Sequence, residues 1–151
     1  MNGQTDIYTN LLLKLSKKAL ALGELPISAI IVDPVNKKVI SACINQTQKN
    51  PILHAEINAI WKALKLTNSK RLDKFDLYCS LEPCAMCASA ISLSRIRRVY
   101  FCLEDKKSGG FINGPKLIYS SNLHHKPKFY YGFKENIFLD LMKDFFKKKR
   151  N

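Results

Sequence analysis

No stretch of this 151-residue sequence approaches the ~20 consecutive apolar residues that a membrane-spanning helix requires. The longest candidate, Ile7 to Leu22, is interrupted by Lys14, Lys17 and Lys18 and reads as an amphipathic helix, not as the apolar core of a secretory signal. Acidic residues are scarce: 12 Asp and Glu stand against 25 Lys and Arg, giving a formal net charge of +13. Cysteine is limited to five residues, and only Cys84 and Cys87 form a Cys-x-x-Cys pair. An odd count without a secretory signal argues against a disulfide framework and fits a reducing compartment, so the expected location is the cytoplasm. Glycine and proline number six each and gather into neither repeat nor linker, and the length predicts one domain over residues 1–151.

What is present is ordinary for a soluble globule, with 46% hydrophobic and 25% charged residues. The positive charge favours a polyanionic partner, with nucleic acid first among them. A lysine- and asparagine-rich composition whose lysines are merely solvated explains the same charge, and charge alone does not separate the two. Cys43, Cys79 and Cys102 lie in apolar, strand-like runs and read as buried free thiols.

Apolar residues recur at helical spacing through Ile7, Leu11, Leu12, Leu15, Ala19 and Leu22, and Gly23 follows as a stop signal. The β-branched run Ile27 to Val32, the turn Asp33-Pro34-Val35-Asn36 and the run Lys38 to Ile44 predict a hairpin. A second helix is expected from His54 to Lys65 with Ile57, Ile60, Trp61 and Leu64 inward, then a strand from Phe75 to Ser80. A helix from Cys84 to Ser92, a strand from Arg98 to Leu103, a fifth strand from Lys128 to Tyr131 and a final helix from Lys134 to Lys147 complete the order. Alternating helices and strands imply an α/β protein, a three-layer α/β/α sandwich around a mixed, five-stranded sheet.

Two clusters carry chemistry. His54-Ala55-Glu56 places an imidazole and a carboxylate where a loop enters a helix, and Pro83-Cys84-Ala85-Met86-Cys87 places two thiols at the start of another. Proline suits a helix start, cysteines three apart share a face, and the positive end of the helix favours thiolate over thiol. Three protein ligands, His54, Cys84 and Cys87, leave the fourth position of a tetrahedral Zn²⁺ open, which separates a catalytic site from a closed structural one. Glu56 is then free to move protons. The competing readings are a thioredoxin-like redox pair or half of a structural zinc knuckle for the cysteines, and an ordinary helix-start carboxylate for Glu56. The order His-x-Glu followed by Pro-Cys-x-x-Cys is the signature of zinc-dependent nucleobase deaminases.

From Leu25 to Gly109 the sequence resembles the bacterial tRNA-specific adenosine deaminases of the cytidine deaminase-like superfamily. The resemblance rests on Leu25-Pro26-Ile27, Asn45, Asn50-Pro51, His54-Ala55-Glu56-Ile57, Leu81 to Ala88, Ser94-Arg95-Ile96, Arg98-Val99, Asp105 and Lys107-Ser108-Gly109. Ser28 and Glu104 depart from the usual glycine and arginine, and Gly110 to Tyr131 follows the pattern loosely. The resemblance implies the cytidine deaminase-like fold and hydrolysis of the wobble adenosine of a tRNA anticodon loop to inosine, with Glu56 relaying protons. It also implies a homodimer, base contact by Asn45 and backbone or ribose contact by Asp105; the alternative for either is a turn residue, for which asparagine and aspartate are well suited. His124, His125, Lys126, Lys128, Phe129, Tyr130 and Tyr131 mix charge with stacking surface, and Lys147 to Arg150 is either a phosphate contact or a solvated helix end. A deaminase of a free base or nucleoside would use the same machinery, and an RNA-binding pseudo-deaminase would not need Glu56.

Overall fold

The computed structural model describes residues 2–150. Helix α1 (Gly3–Ala21) is started by Asn2, whose side chain accepts the backbone N–H of Thr5 at 2.9 Å, and it gives way to Gly23 at φ +79°. Strands β1 (Ser28–Asp33) and β2 (Lys38–Ile44) form the expected antiparallel hairpin. Asp33 closes its turn by accepting the backbone N–H groups of Val35 and Asn36. Then follow α2 (Ala55–Thr67), β3 (Asp76–Leu81), α3 (Ala85–Leu93), β4 (Arg98–Leu103), a short 3₁₀ turn (Leu117–Tyr119), β5 (Lys128–Tyr131) and α4 (Glu135–Arg150).

The sheet order is β2-β1-β3-β4-β5. β1 runs antiparallel to both neighbours, whereas β3, β4 and β5 are parallel. Strand alternation splits the core in two. Ala29, Ile31, Leu77, Cys79, Val99 and Phe101 face the α2 and α3 layer, while Ile30, Val32, Tyr78 and Cys102 face α1 and α4. This is the expected three-layer α/β/α sandwich with a mixed five-stranded sheet. No helix among the described residues is long and apolar enough to cross a membrane.

One helix face differs from expectation. α2 buries Ala55, Ala59, Ile60 and Ala63, whereas Ile57 and Leu64 are half-buried and Trp61 is 62% exposed. Three alanines at helical spacing let α2 lie close to the sheet, and no volume remains there for an indole. Trp61 instead lies outside, with the Lys65 ammonium 4.4 Å from its ring centre. Cys43, expected to be buried, is half-buried, while Cys79 and Cys102 are buried as expected.

α4 is fixed at its start by Lys134, whose ammonium donates to the Asp6 carboxylate at 2.9 Å and to Thr9 Oγ1 at 2.6 Å. Phe138 and Leu141 bury against α1 and the sheet. That docking turns Leu139, Met142 and Phe146 toward the carboxyl ends of β3 and β4.

Candidate active site

Parallel strands deliver their carboxyl ends, and the helices that follow, to one edge of the sheet. A cleft of about 740 Å³ opens there, between Leu81 at the end of β3, Leu103 at the end of β4, the 104–108 loop and α4. His54 and Cys84 occupy the N-cap positions of α2 and α3, each in extended backbone, and Cys87 lies in the first turn of α3. His54 Nδ1 lies 3.5 Å from Cys84 Sγ and 3.7 Å from Cys87 Sγ. One ligand atom from each of the three residues falls within 4.8 Å of the others, and among the described residues this is the one such group.

The electrostatics of the three are tied together. The Cys87 side chain and the His54 imidazole hydrogen-bond to Cys84 and hold its thiol down at about 4, against the opposing effect of burial. Cys87, whose side chain hydrogen-bonds to that thiolate and is largely withdrawn from water, is pushed up. The same Cys84 contact raises the His54 imidazole above its usual value. Two thiols and an imidazole converging on one point are a borderline-soft donor set that suits Zn²⁺.

Glu56, one residue into α2, is buried, and its Oε1 has no hydrogen-bond partner. An unpartnered buried carboxylate oxygen is rare and calls for a molecule at that point. Burial raises the Glu56 carboxyl to about 7 despite hydrogen bonding to Cys87 and the attraction of His54. At neutral pH such a group is poised both to accept a proton and to give one up.

The structure brings His54, Glu56, Cys84 and Asp105 to the cleft wall. Asn45 is buried, with its Oδ1 accepting the backbone N–H of Ala55 at 3.2 Å and its Nδ2 donating to Thr47 Oγ1. Its side chain therefore braces the first turn of α2. Asp105 accepts the backbone N–H groups of Lys107 and Ser108, the turn role that asparagine and aspartate share, while remaining on the cleft wall. Lys128 opens β5 opposite Arg98, at the far end of the sheet, and His125 hydrogen-bonds the Ile96 carbonyl. The basic side chains that this chain places at the cleft are instead Lys106 and Lys107.

Two buried carboxylates that brace loops escaped sequence reasoning. Glu24 accepts the N–H groups of Thr47 and Gln48 and the Thr47 hydroxyl, which shapes the loop entering α2. Glu82 does the same for the loop after β4. Neither belongs to a periodic pattern; the available signal was a glutamate one or two positions before proline in an acid-poor chain.

A mixed α/β/α sheet carrying a His/Cys/Cys group and a buried glutamate at helix starts defines the zinc-binding deaminase class, and residues 3–103 match the family model for the cytidine and deoxycytidylate deaminase zinc-binding region. The chain is 42% identical over 142 residues to the tRNA-specific adenosine deaminase of Rickettsia bellii, covering 92% of this chain and 97% of that protein. It is 38% identical over 149 residues to the tRNA-specific adenosine deaminase of Aquifex aeolicus, covering 97% and 96%. A solved structure from work on A-to-I editing by tRNA:A34 deaminases at the wobble position of transfer RNA superposes with a TM-score of 0.85 at 35% identity, over 90% of this chain and 99% of that one. Within the zinc-binding deaminases, the chain belongs to the tRNA-specific adenosine deaminase family.

Proposed function

We propose that this chain hydrolyses adenosine to inosine at the wobble position of a tRNA anticodon loop, with His54, Cys84 and Cys87 holding zinc and Glu56 relaying protons. The observation that carries the reading is the buried, unpartnered Glu56 Oε1 beside a three-residue donor set that leaves one tetrahedral position free. His54, Cys84 and Cys87 would hold a zinc ion, which when bound would supply a water acidified toward neutrality as the nucleophile. Glu56 would accept one proton of the attacking water and pass it to the ring nitrogen beside C6, then take the remaining hydroxyl proton of the C6 adduct and deliver it to the departing amine. Water and adenosine are consumed, and inosine and ammonia leave.

A base stacked in a duplex does not reach such a cleft, so the substrate presents it from a loop. Leu25, Ile27 and Leu103 supply apolar wall for the base, and Lys106 and Lys107 supply charge at its edge for the phosphates on either side. The deciding assay compares an anticodon stem-loop bearing adenosine at the wobble position with free adenosine, guanine and cytidine. Inosine formation from the stem-loop alone supports the reading, and equal or faster turnover of a free base or nucleoside replaces it with a small-molecule deaminase.

Stem-loop affinity is expected to fall as salt rises, because a chain of net charge +13 that neutralises phosphates releases counterions. Replacing both Lys106 and Lys107 by alanine should lower the slope of log K against log salt by about 1–2 while leaving zinc content unchanged. An unchanged slope in titrations from low to high salt would remove these lysines from the interface.

The working form is proposed to be a homodimer. Leu93 is 75% exposed and Tyr119 65% exposed, and both extend the apolar surface of the α3 layer away from the cleft. Covering that surface with a second copy removes it from water. Leu93→Asp is expected to shift the mass measured by light scattering from dimer to monomer; a wild-type chain that is monomeric at micromolar concentration contradicts the proposal.

A further inference from the structure

Glu82, the residue before Pro83, is 3% exposed, and its carboxylate accepts five hydrogen bonds from one loop. Oε1 takes the backbone N–H of Asp105 at 3.1 Å and the side-chain amide of Asn113 at 2.6 Å. Oε2 takes the backbone N–H groups of Phe111, Ile112 and Asn113 at 3.2, 3.0 and 2.9 Å. The Pro83 carbonyl accepts a further bond from the Gly110 N–H at 3.0 Å. Two adjacent residues, immediately before Cys84, therefore hold both halves of the 105–113 loop.

The approach is too close for side chains. A Cβ on Gly109 would lie 2.5 Å from Glu82 Oε2, and a Cβ on Gly110 would collide with the backbone of Ala85 in the first turn of α3. The same loop begins with Glu104, Asp105, Lys106, Lys107 and Ser108, which wall the cleft opposite His54 and Glu56. Asn113 extends the connection by donating to the Glu104 carboxylate at 3.0 Å as well as to Glu82. An acceptor-only group facing five donors is satisfied in one loop position alone, so the carboxylate sets the distance between the cysteine turn and the cleft wall.

We propose that Glu82 is a positioning residue for substrate: it locks the 104–113 loop onto the start of α3 so that the cleft wall meets the base and its flanking phosphates in a preformed geometry. The proposal rests on the deaminase reading above, and it assigns Glu82 no contact with the reacting atoms. Substrate positioning by a supporting residue is expressed in KM, whereas a contribution to folding alone is expressed in stability.

The test uses Glu82→Gln, which keeps the shape but turns two N–H donors toward the backbone donors of the loop. The zinc-loaded variant is compared with wild type and with Asp76→Asn, which breaks the ion pair of the buried Asp76 carboxylate with Arg97 at the opposite end of β3. Glu82→Gln is expected to retain one zinc per chain, to raise KM for the stem-loop at least tenfold and to change kcat by less than threefold. Amide hydrogen exchange at Asp105, Phe111, Ile112 and Asn113 should accelerate at least tenfold while the amides of β1 and β3 stay protected. Asp76→Asn should lower the melting temperature without moving KM. Should Glu82→Gln fail to fold, Glu82→Asp keeps the charge but withdraws it by one methylene and should show the same KM-selective change in smaller measure. Unchanged KM and unchanged loop exchange in a folded Glu82 variant overturn the positioning role. A wild-type protein that exchanges slowly at these amides yet does not deaminate the stem-loop overturns the deaminase reading instead.

Discussion

Glu56→Gln should abolish inosine formation, with kcat reduced on the order of 10⁴-fold, the upper end of what a general acid–base group contributes. Zinc content and stem-loop affinity should stay at wild-type values, because the carboxylate lies outside the His54, Cys84 and Cys87 group. A mutation that lowers kcat and kcat/KM together removes an interaction made in the transition state. Stability in the metal-free protein supplies an independent check. Burial raises Glu56 from 4.5 to about 7, so the folded state holds a proton that the unfolded chain releases between those values. A raised carboxyl contributes its full stability below pH about 4.5 and loses it as pH climbs to about 7; at ~1.4 kcal/mol per unit the loss is roughly 3 kcal/mol. Metal-free Glu56→Gln, which has no charge to bury, should therefore melt above metal-free wild type at pH 8, and the gap should close toward pH 4. Wild-type-like turnover by this variant, or no stability gap at pH 8, would show that Glu56 is an ordinary helix-start carboxylate.

That glutamate stood out in the sequence for a chemical reason, as did His54, Cys84 and Cys87, which the fold brings together. A histidine, two cysteines and a carboxylate at two helix starts form a pattern with few other uses, and its spacing survives because each pair is held by one helix N-terminus. The central strands were legible because a strand buried on both faces, such as Ser28–Asp33, reads as a short continuous apolar run between turn residues. Trp61 was misplaced because helical period identifies a stripe without saying which residues in it fit, and the alanines of α2 leave no space for an indole. Asp105 lies on the cleft wall and Asn45 braces the first turn of α2, and most of their visible hydrogen bonding goes to neighbouring backbone N–H groups. The loop-bracing roles of Glu24 and Glu82 were not legible for the complementary reason: a proline one or two positions on marks both residues, but most of their partners are main-chain N–H groups that every sequence possesses.

Loss of zinc is expected when Cys84 is replaced by alanine, with the content falling from one ion per chain to near zero. The donor atoms belong to two segments brought together by the fold, His54 before α2 and Cys84 and Cys87 at the start of α3, so neither segment alone presents more than two of them. Binding of an ion to such a group is linked to folding, because the unfolded chain has no preformed site. A strong chelator should consequently lower the melting temperature of wild type and leave that of Cys84→Ala unmoved, while added zinc should restore the former only. Cys43→Ala serves as the control, since Cys43 sits on β2 outside the group and its half-buried thiol is raised by burial. That variant should keep its zinc and its chelator sensitivity. The thiolate character of Cys84 makes the experiment discriminating: a low thiol value is shared by redox-active Cys-x-x-Cys pairs and by zinc sites, so acidity alone does not choose between them. Metal analysis does. Full zinc occupancy in Cys84→Ala would take Cys84 out of the coordination sphere and leave His54 and Cys87 as two donors, too few for the three-ligand catalytic site on which the deaminase chemistry depends.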